Sequence, residues 1–344
     1  MWRPTGGSGR ARRGLFTPLR PEPPVGRPAG AEETLIDYSG GRGGTRACGP
    51  STESFPRRRC VRAGEGVRIV RTEEITAAVR DLCMRAATEL GADVASALRS
   101  ALEREESPLG REILKQIVDN FEIAASEGRP MCQDTGIPVF FIEVGREAAV
   151  DGPLEDAVNE GVRRGYEEGY LRKSVCHPLT RENTGDNTPA VIHTTLVEGD
   201  GVRIKFAPKG AGSENMSRLA MLKPSQGIEG VKDFVVETVR QGGGNPCPPI
   251  VIGVGIGGNF EKSAILAKKA LLRPIGSANG DAGLEALEKE LVERINRLGI
   301  GPMGFGGVTT ALAVHVESAP CHIASLPVAV NIQCHAARHK EVEL

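Results

Sequence analysis

Gly242-Gly243-Gly244-Asn245-Pro246-Cys247-Pro248-Pro249, followed at once by Ile250-Val251-Ile252-Gly253-Val254-Gly255-Ile256-Gly257-Gly258-Asn259, is the segment around which the rest of this chain is organised. A cysteine stands in a loop of stiff prolines and permissive glycines, so its thiol is held with little freedom. A short β-branched run behind it reads as a buried strand, and the glycines after that open a helix from Phe260 to Leu272. Strand, glycine turn and helix N-terminus offer backbone N–H groups to an anion. The stretch also satisfies G-x-G-x-x-G, but it lies far from a first strand and no acidic strand end follows at the expected spacing. Packing or anion binding is therefore favoured over a dinucleotide, with a nicotinamide-dependent oxidoreductase kept as the rival function.

The 344 residues are 40% apolar and 25% charged with 44 glycines, a loop-rich globular composition. A net charge of −1 gives no reason to expect nucleic acid or an anionic membrane as partner. No apolar run approaches the length of a membrane span. Eight cysteines without a secretory leader suggest reduced thiols and a cytoplasmic protein. Residues 1–66 stand apart: half are Gly, Pro or Arg and none is Lys. They are expected to be a disordered or spurious extension, with a transit peptide as the lesser reading, and Cys48 and Cys60 receive no role.

Beyond Val67 helical spacing predicts helices over Thr72–Leu90, Asp93–Glu106 and from Pro108, with Thr72 and Asp93 at N-cap positions and Cys83 in the core. The loop Met131-Cys132-Gln133-Asp134-Thr135-Gly136 feeds a strand at Val139–Val144. After a helix at Leu154–Glu168 come Arg172 and the polar loop Asn183-Thr184-Gly185-Asp186-Asn187. Ala190–Val197 and Val202–Phe206 flank Glu198-Gly199-Asp200-Gly201 and read as a hairpin ending at Lys209-Gly210-Ala211-Gly212-Ser213-Glu214-Asn215. A helix is expected at Val231–Arg240 and a charged, exposed one at Leu284–Leu298. Strands Val308–Val316 and Leu326–Ile332 bracket Cys321-His322 and precede Cys334-His335. The mixture of connections predicts a mixed α/β (α+β) domain over 67–344, with N-terminal helices followed by mixed sheets.

No cysteine pair has C-x-x-C spacing, so a zinc finger or ferredoxin has no support. Cys132, Cys247 and Cys334 each sit in a strand-end loop beside Pro, Gly or Gln. Three such thiolates are able to hold an iron–sulfur cluster with one iron open as a Lewis acid.

The motifs at 132–136, 183–187, 209–215 and 243–249 closely resemble those of class I fumarate hydratase α subunits, a family that includes L(+)-tartrate dehydratase α subunits. The resemblance covers residues 67–344. It implies an oxygen-sensitive [4Fe–4S] hydro-lyase with Cys132, Cys247 and Cys334 as cluster ligands. It further implies Asp134 and His322 as catalytic groups, and Gln133, Arg172 and Gly210 as substrate contacts. A guanidinium suits a carboxylate bidentately, and a carboxylate–imidazole pair can deliver the proton that a departing hydroxide needs. The residues themselves leave open a surface ion pair at Arg172 and a structural strand-end histidine at 322. His177, His193, His315, His335 and His339 read as structural.

Fumarate hydration is the leading expectation and tartrate dehydration the alternative. Family members that are single chains continue into a second domain. This sequence ends ten residues after Cys334, so a separate β subunit is expected, in an α2β2-type heteromer that takes a small dicarboxylate.

Overall fold

The computed structural model describes residues 66–344. The expectation for 1–66, Cys48 and Cys60 included, lies outside the described residues except at Gly66.

Three helices come first after strand β1 (Arg68–Val70): α1 (Thr72–Thr88), α2 (Ala92–Arg104) and α3 (Pro108–Glu127). Ser107 caps α3 through its hydroxyl to Gly110 N, and Gly128 closes it at φ 64°. The other two caps differ from expectation. Arg71 is the N-cap of α1, and Thr72 donates its N–H to Asp151 Oδ1. Gly91 caps α2, while the Asp93 carboxylate accepts from Ile275 N, a contact 182 residues away.

The first large sheet contains β2 (Ile137–Gly145), β4 (Val191–Val197), β5 (Val202–Lys209) and β10 (Lys340–Glu343), ordered β10-β5-β2-β4. The short β3 (Ala148–Val150) pairs with β1 in a separate two-stranded sheet. The expected hairpin does not form. β2 lies between β4 and β5, parallel to the first and antiparallel to the second. Each strand gains more from the buried Phe140, Ile142 and Val144 row than from facing the other across a polar turn. That row packs with Phe206, Ile204 and Val202 under α1 and α4 (Leu154–Glu168), around Tyr166.

The second sheet, ordered β6-β9-β7-β8, holds β6 (Arg218–Leu222), β7 (Ile250–Gly257), β8 (Ala311–Ala319) and β9 (Leu326–Gln333). β7 is its buried centre, parallel to β8 and antiparallel to β9. Ile250, Ile252 and Val254 face the core beneath α6 (Gly227–Gly242) and α8 (Ala282–Asn296). Helix α8 is charged as expected, yet it buries Leu287, Leu291 and Ile295. The opposite face of β7 carries Val251, Gly253 and Gly255 and meets α2, α3 and α7 (Phe260–Ala270).

The glycines of β7 serve that contact. A Cβ on Gly253 would lie 2.0 Å from Ala267 O, and one on Gly255 2.0 Å from Ser263 O. The α7 backbone therefore rests directly on the strand, and packing accounts for these two glycines without a dinucleotide.

Candidate functional site

The register of the second sheet places two of the three expected cluster cysteines together. Val251 pairs with Gln333, so Cys247 before β7 and Cys334 after β9 share one end of the sheet. His335 joins their loops: its N–H donates to Cys247 O, and its Nδ1 lies 3.0 Å from that same oxygen. Cys247 adopts φ 56°, uncommon for a residue other than glycine, and its N–H bonds Gly244 O. Pro248 O accepts from Met303 N, so the loop is tied on both sides of the thiol.

The third thiol arrives from the first sheet. Met131 N donates to Ala87 O and Asn120 Nδ2 to Met131 O, which fixes the Cys132 loop against α1 and α3. Cys132 and Cys334 pack against the same small core of Ala124, Met131 and Ala336. Gly136 stands at φ 78°, and a Cβ there would lie 2.7 Å from Lys209 N, so only glycine lets this loop approach the end of β5. Arg338, four residues past Cys334, donates Nη2 to Asp134 O at 2.5 Å.

Burial pushes the Cys247 thiol up, and the neighbouring Cys334 and Cys132 push it further. Burial also raises Cys334, opposed by Arg338 and Lys209. Three thiols, all free and all half-buried, form a soft donor set that fits an iron–sulfur cluster. Among the described residues no three His, Cys, Asp or Glu side chains are disposed around a single metal ion. A cube of iron and sulfide holds its thiolates further apart than one ion does. Cys83, by contrast, is 2% exposed in the α1 core and raised by burial alone.

The expected substrate residues gather around the Cys132 loop, with one exception. Gln133 is exposed, its Oε1 3.7 Å from Cys132 Sγ. Asp134 uses both carboxylate oxygens on backbone: Oδ1 accepts from Gly136 N at 3.0 Å and Oδ2 from Ala211 N at 2.8 Å. That second bond brings the Gly210 loop to the site. Thr135 donates Oγ1 to Arg172 O at 2.6 Å, which fixes the Arg172 main chain beside the same loop and leaves its side chain exposed.

His322 is the exception. It follows β8 and precedes β9, whereas Cys334 follows β9. The eight residues of β9 span roughly 26 Å. His322 is exposed, and its Nδ1 accepts from Ala324 N within its own short turn. The expected Asp134–His322 pair therefore does not form within the chain: the strand that carries Cys334 to the site carries His322 away from it.

The remaining motifs act as supports. Asn187 is fully buried; its Oδ1 accepts from Ser174 N and Val175 N, and its Nδ2 donates to Gly136 O. It thus couples the Arg172 segment to the Cys132 loop. Tyr166 donates its hydroxyl to Thr135 O and Gly136 O beneath the same turn. Lys209 Nζ, almost wholly buried, lies 3.1 Å from Glu214 Oε2 and 2.9 Å from Ser213 Oγ. Glu214 also pairs with Lys268 of α7 and accepts from Asn331 Nδ2 of β9. Asn187, Lys209 and Glu214 stood in motifs quoted from sequence but received no role there; Lys268, Tyr166 and Arg338 were not singled out. A charge beside a glycine-rich turn was the available signal at Lys209; Lys268, next to Lys269, offered none.

Comparison with known proteins identifies the family. The sequence model of the fumarate hydratase (Fumerase) family matches residues 76–343. A Methanocaldococcus jannaschii protein carrying the provisional name L(+)-tartrate dehydratase subunit alpha is 48% identical over 272 residues, covering 77% of this chain and 95% of that protein. L(+)-tartrate dehydratase subunit alpha of Escherichia coli K12 is 35% identical over 269 residues, covering 77% of this chain and 89% of that protein.

Proposed function

The chain belongs to the fumarate hydratase family, and from that premise we propose that it is the α subunit of an iron–sulfur hydro-lyase acting on a four-carbon hydroxy-dicarboxylate. It is an enzyme of the hydro-lyase class. The observation that carries the finer reading is the convergence of the Cys132, Cys247 and Cys334 loops, tied by His335 and Arg338. The names of the relatives favour L(+)-tartrate as substrate over the fumarate first expected. Fumarate hydration stands as the second reading, on the family's own description.

Cys132, Cys247 and Cys334 would hold a [4Fe–4S] cluster, which when bound supplies Lewis acidity for a leaving hydroxyl. The other work falls to side chains of this chain. Arg172, whose side chain is exposed, is proposed to take one substrate carboxylate bidentately. Gln133 and the Gly210 main chain are proposed to orient the substrate beside it. Asp134 keeps lone pairs beyond those used by Gly136 and Ala211. It is the group of this chain proposed to hold a proton near the reacting carbons. His322 has no place in that scheme within one chain. A separate β subunit is proposed to supply the remaining groups, as the "subunit alpha" names of the relatives imply.

Anaerobic co-expression with a β subunit, followed by iron and sulfide analysis, tests this. The assembled enzyme should release oxaloacetate from L(+)-tartrate faster than malate from fumarate. Cys132→Ser, Cys247→Ser and Cys334→Ser should each lose the broad iron–sulfur absorbance, while Cys83→Ser and Cys321→Ser keep it. Full cluster content in any of the first three variants would overturn the ligand set. A higher kcat/KM for fumarate would overturn the substrate assignment and leave the cluster intact.

A further inference from the structure

Among the described residues, Arg338 is a cation buried without an ion-pair partner. It is 3% exposed, and its Nε and Nη1 find no hydrogen-bond partner among those residues. Its Nη2 is engaged, and the partner is the neutral carbonyl oxygen of Asp134. No ion pair among the described residues includes Arg338; the nearby Lys209 and Lys268, which line the same cavity, are cations committed to Glu214. Burying a guanidinium is costly unless a charge of opposite sign meets it, and its high pKa forbids escape by deprotonation. The adjoining cavity, lined by Gln333 and Lys209 as well, measures about 10 Å³, room for one water at most. Water would satisfy an N–H but supply no charge.

Position supplies the missing anion. Arg338 stands four residues after Cys334 and bonds the residue two beyond Cys132, so it spans two of the three thiol loops. Three thiolates around a [4Fe–4S] core leave the assembly net negative. We propose that Arg338 is the built-in counter-charge of the cluster, and that it stabilises the more negative, reduced form of the cluster. This rests on the cluster reading above. It makes Arg338 a positioning and tuning residue rather than a catalytic one.

Arg338→Gln keeps a donor for Asp134 O and removes the charge; Arg338→Met removes both; Arg338→Lys keeps the charge. The full chain would be reconstituted anaerobically with iron and sulfide, and the midpoint potential of the one-electron cluster couple read by titration with detection by electron paramagnetic resonance. Arg338→Gln should disfavour reduction by about tenfold, a shift of about 59 mV to more negative potential, and Arg338→Lys should recover most of it. In the cluster-free chain the order reverses. Arg338→Met should unfold at a higher urea concentration than wild type, because an uncompensated buried charge has been removed. A potential unchanged in Arg338→Gln, or a cluster-free Arg338→Met that is less stable than wild type, would overturn the assignment. Should Arg338→Met not fold, that counts against the assignment as well, and the Gln and Lys potentials are read independently. Wild-type chain that takes up no iron would instead sink the cluster reading itself, so the two failures are distinguishable.

Discussion

Cys334 and His322 lie at opposite ends of strand β9, separated by its eight residues. A dozen positions apart in sequence, they are about as far apart as one strand allows. Motif order places them in one site; the sheet does not.

The additivity of two variants checks this. Asp134→Asn should lower kcat of the assembled enzyme by about 10²-fold, the usual scale for an acid–base group. Changes more than about 7–10 Å apart combine as independent free energies to within about 0.5 kcal/mol. The rate losses of Asp134→Asn and His322→Asn should therefore multiply in the double variant. A double variant no worse than Asp134→Asn, with His322→Asn itself impaired, would show the two acting as one unit.

Asn187 offers a test of how the Arg172 segment is held. Truncation to Ala orphans two buried N–H groups, at Ser174 and Val175, and frees Gly136 O. The loss should be about 2–4 kcal/mol of stability, measured by urea unfolding. Because Arg172 shifts while the thiols stay, KM should rise more than kcat falls and iron content should hold. Unchanged KM in a folded, loaded Asn187→Ala enzyme would contradict the coupling.

Glu214 sets an acid limb. Burial pushes its carboxyl up, but Lys209, Lys268 and the bond from Asn331 together bring it to about 2, below the ordinary 4.5. A carboxyl held low in the folded state contributes stability above its unfolded pKa, and that contribution is lost as pH falls from about 4.5 toward 2. Glu214 is partly open to solvent, so Glu214→Gln should cost about 2 kcal/mol at pH 7, less than a fully buried pair. In the cluster-free chain the gap between wild type and Glu214→Gln should narrow steadily below pH 4.5. A gap independent of pH would mean the ion pairs contribute nothing.

Gly255 and Gly280 make a contrasting pair. Gly255→Ala drives a methyl into Ser263 O and forces α7 off β7, at a cost of about 1–3 kcal/mol or more. A Cβ on Gly280 meets nothing within 4 Å, so Gly280→Ala should be neutral or stabilising by up to about 1 kcal/mol. Equal thermal midpoints for the two variants would refute the strand-to-helix contact. No NAD should bind either protein or the wild type, as read by fluorescence titration.

The helices were legible because burying one face imposes a 3.6-residue period on the chain itself, and α4 begins and ends where its apolar spacing does. Strand existence was legible too, from β-branched runs and their punctuation. Strand partners were not: β4 and β5 flank a four-residue turn signal, yet both pair with β2, drawn from some fifty residues earlier. A turn signal reports local backbone preference and carries no information on which apolar row lies nearest.

The site divides in the same way. Cys132, Cys247 and Cys334 were nominated by loop chemistry and the resemblance, Gln133, Asp134 and Gly210 by contiguous motifs that a chain states outright, and Arg172 by the resemblance alone. Arg338 carries no local pattern, and the motif that contains Lys209 and Glu214 does not state their roles, since what distinguishes all three is burial and the partners that burial supplies or withholds. The fold class, the family and the thiol set thus belong to the sequence, where periodicity and motif spacing encode them. Sheet order decided the company those thiols keep. Register along β7 and β9 brings Cys247 to Cys334, sends His322 to the far end, and leaves Arg338 buried with a charge to be met, because long-range pairing, unlike periodicity, is settled only when the strands pack.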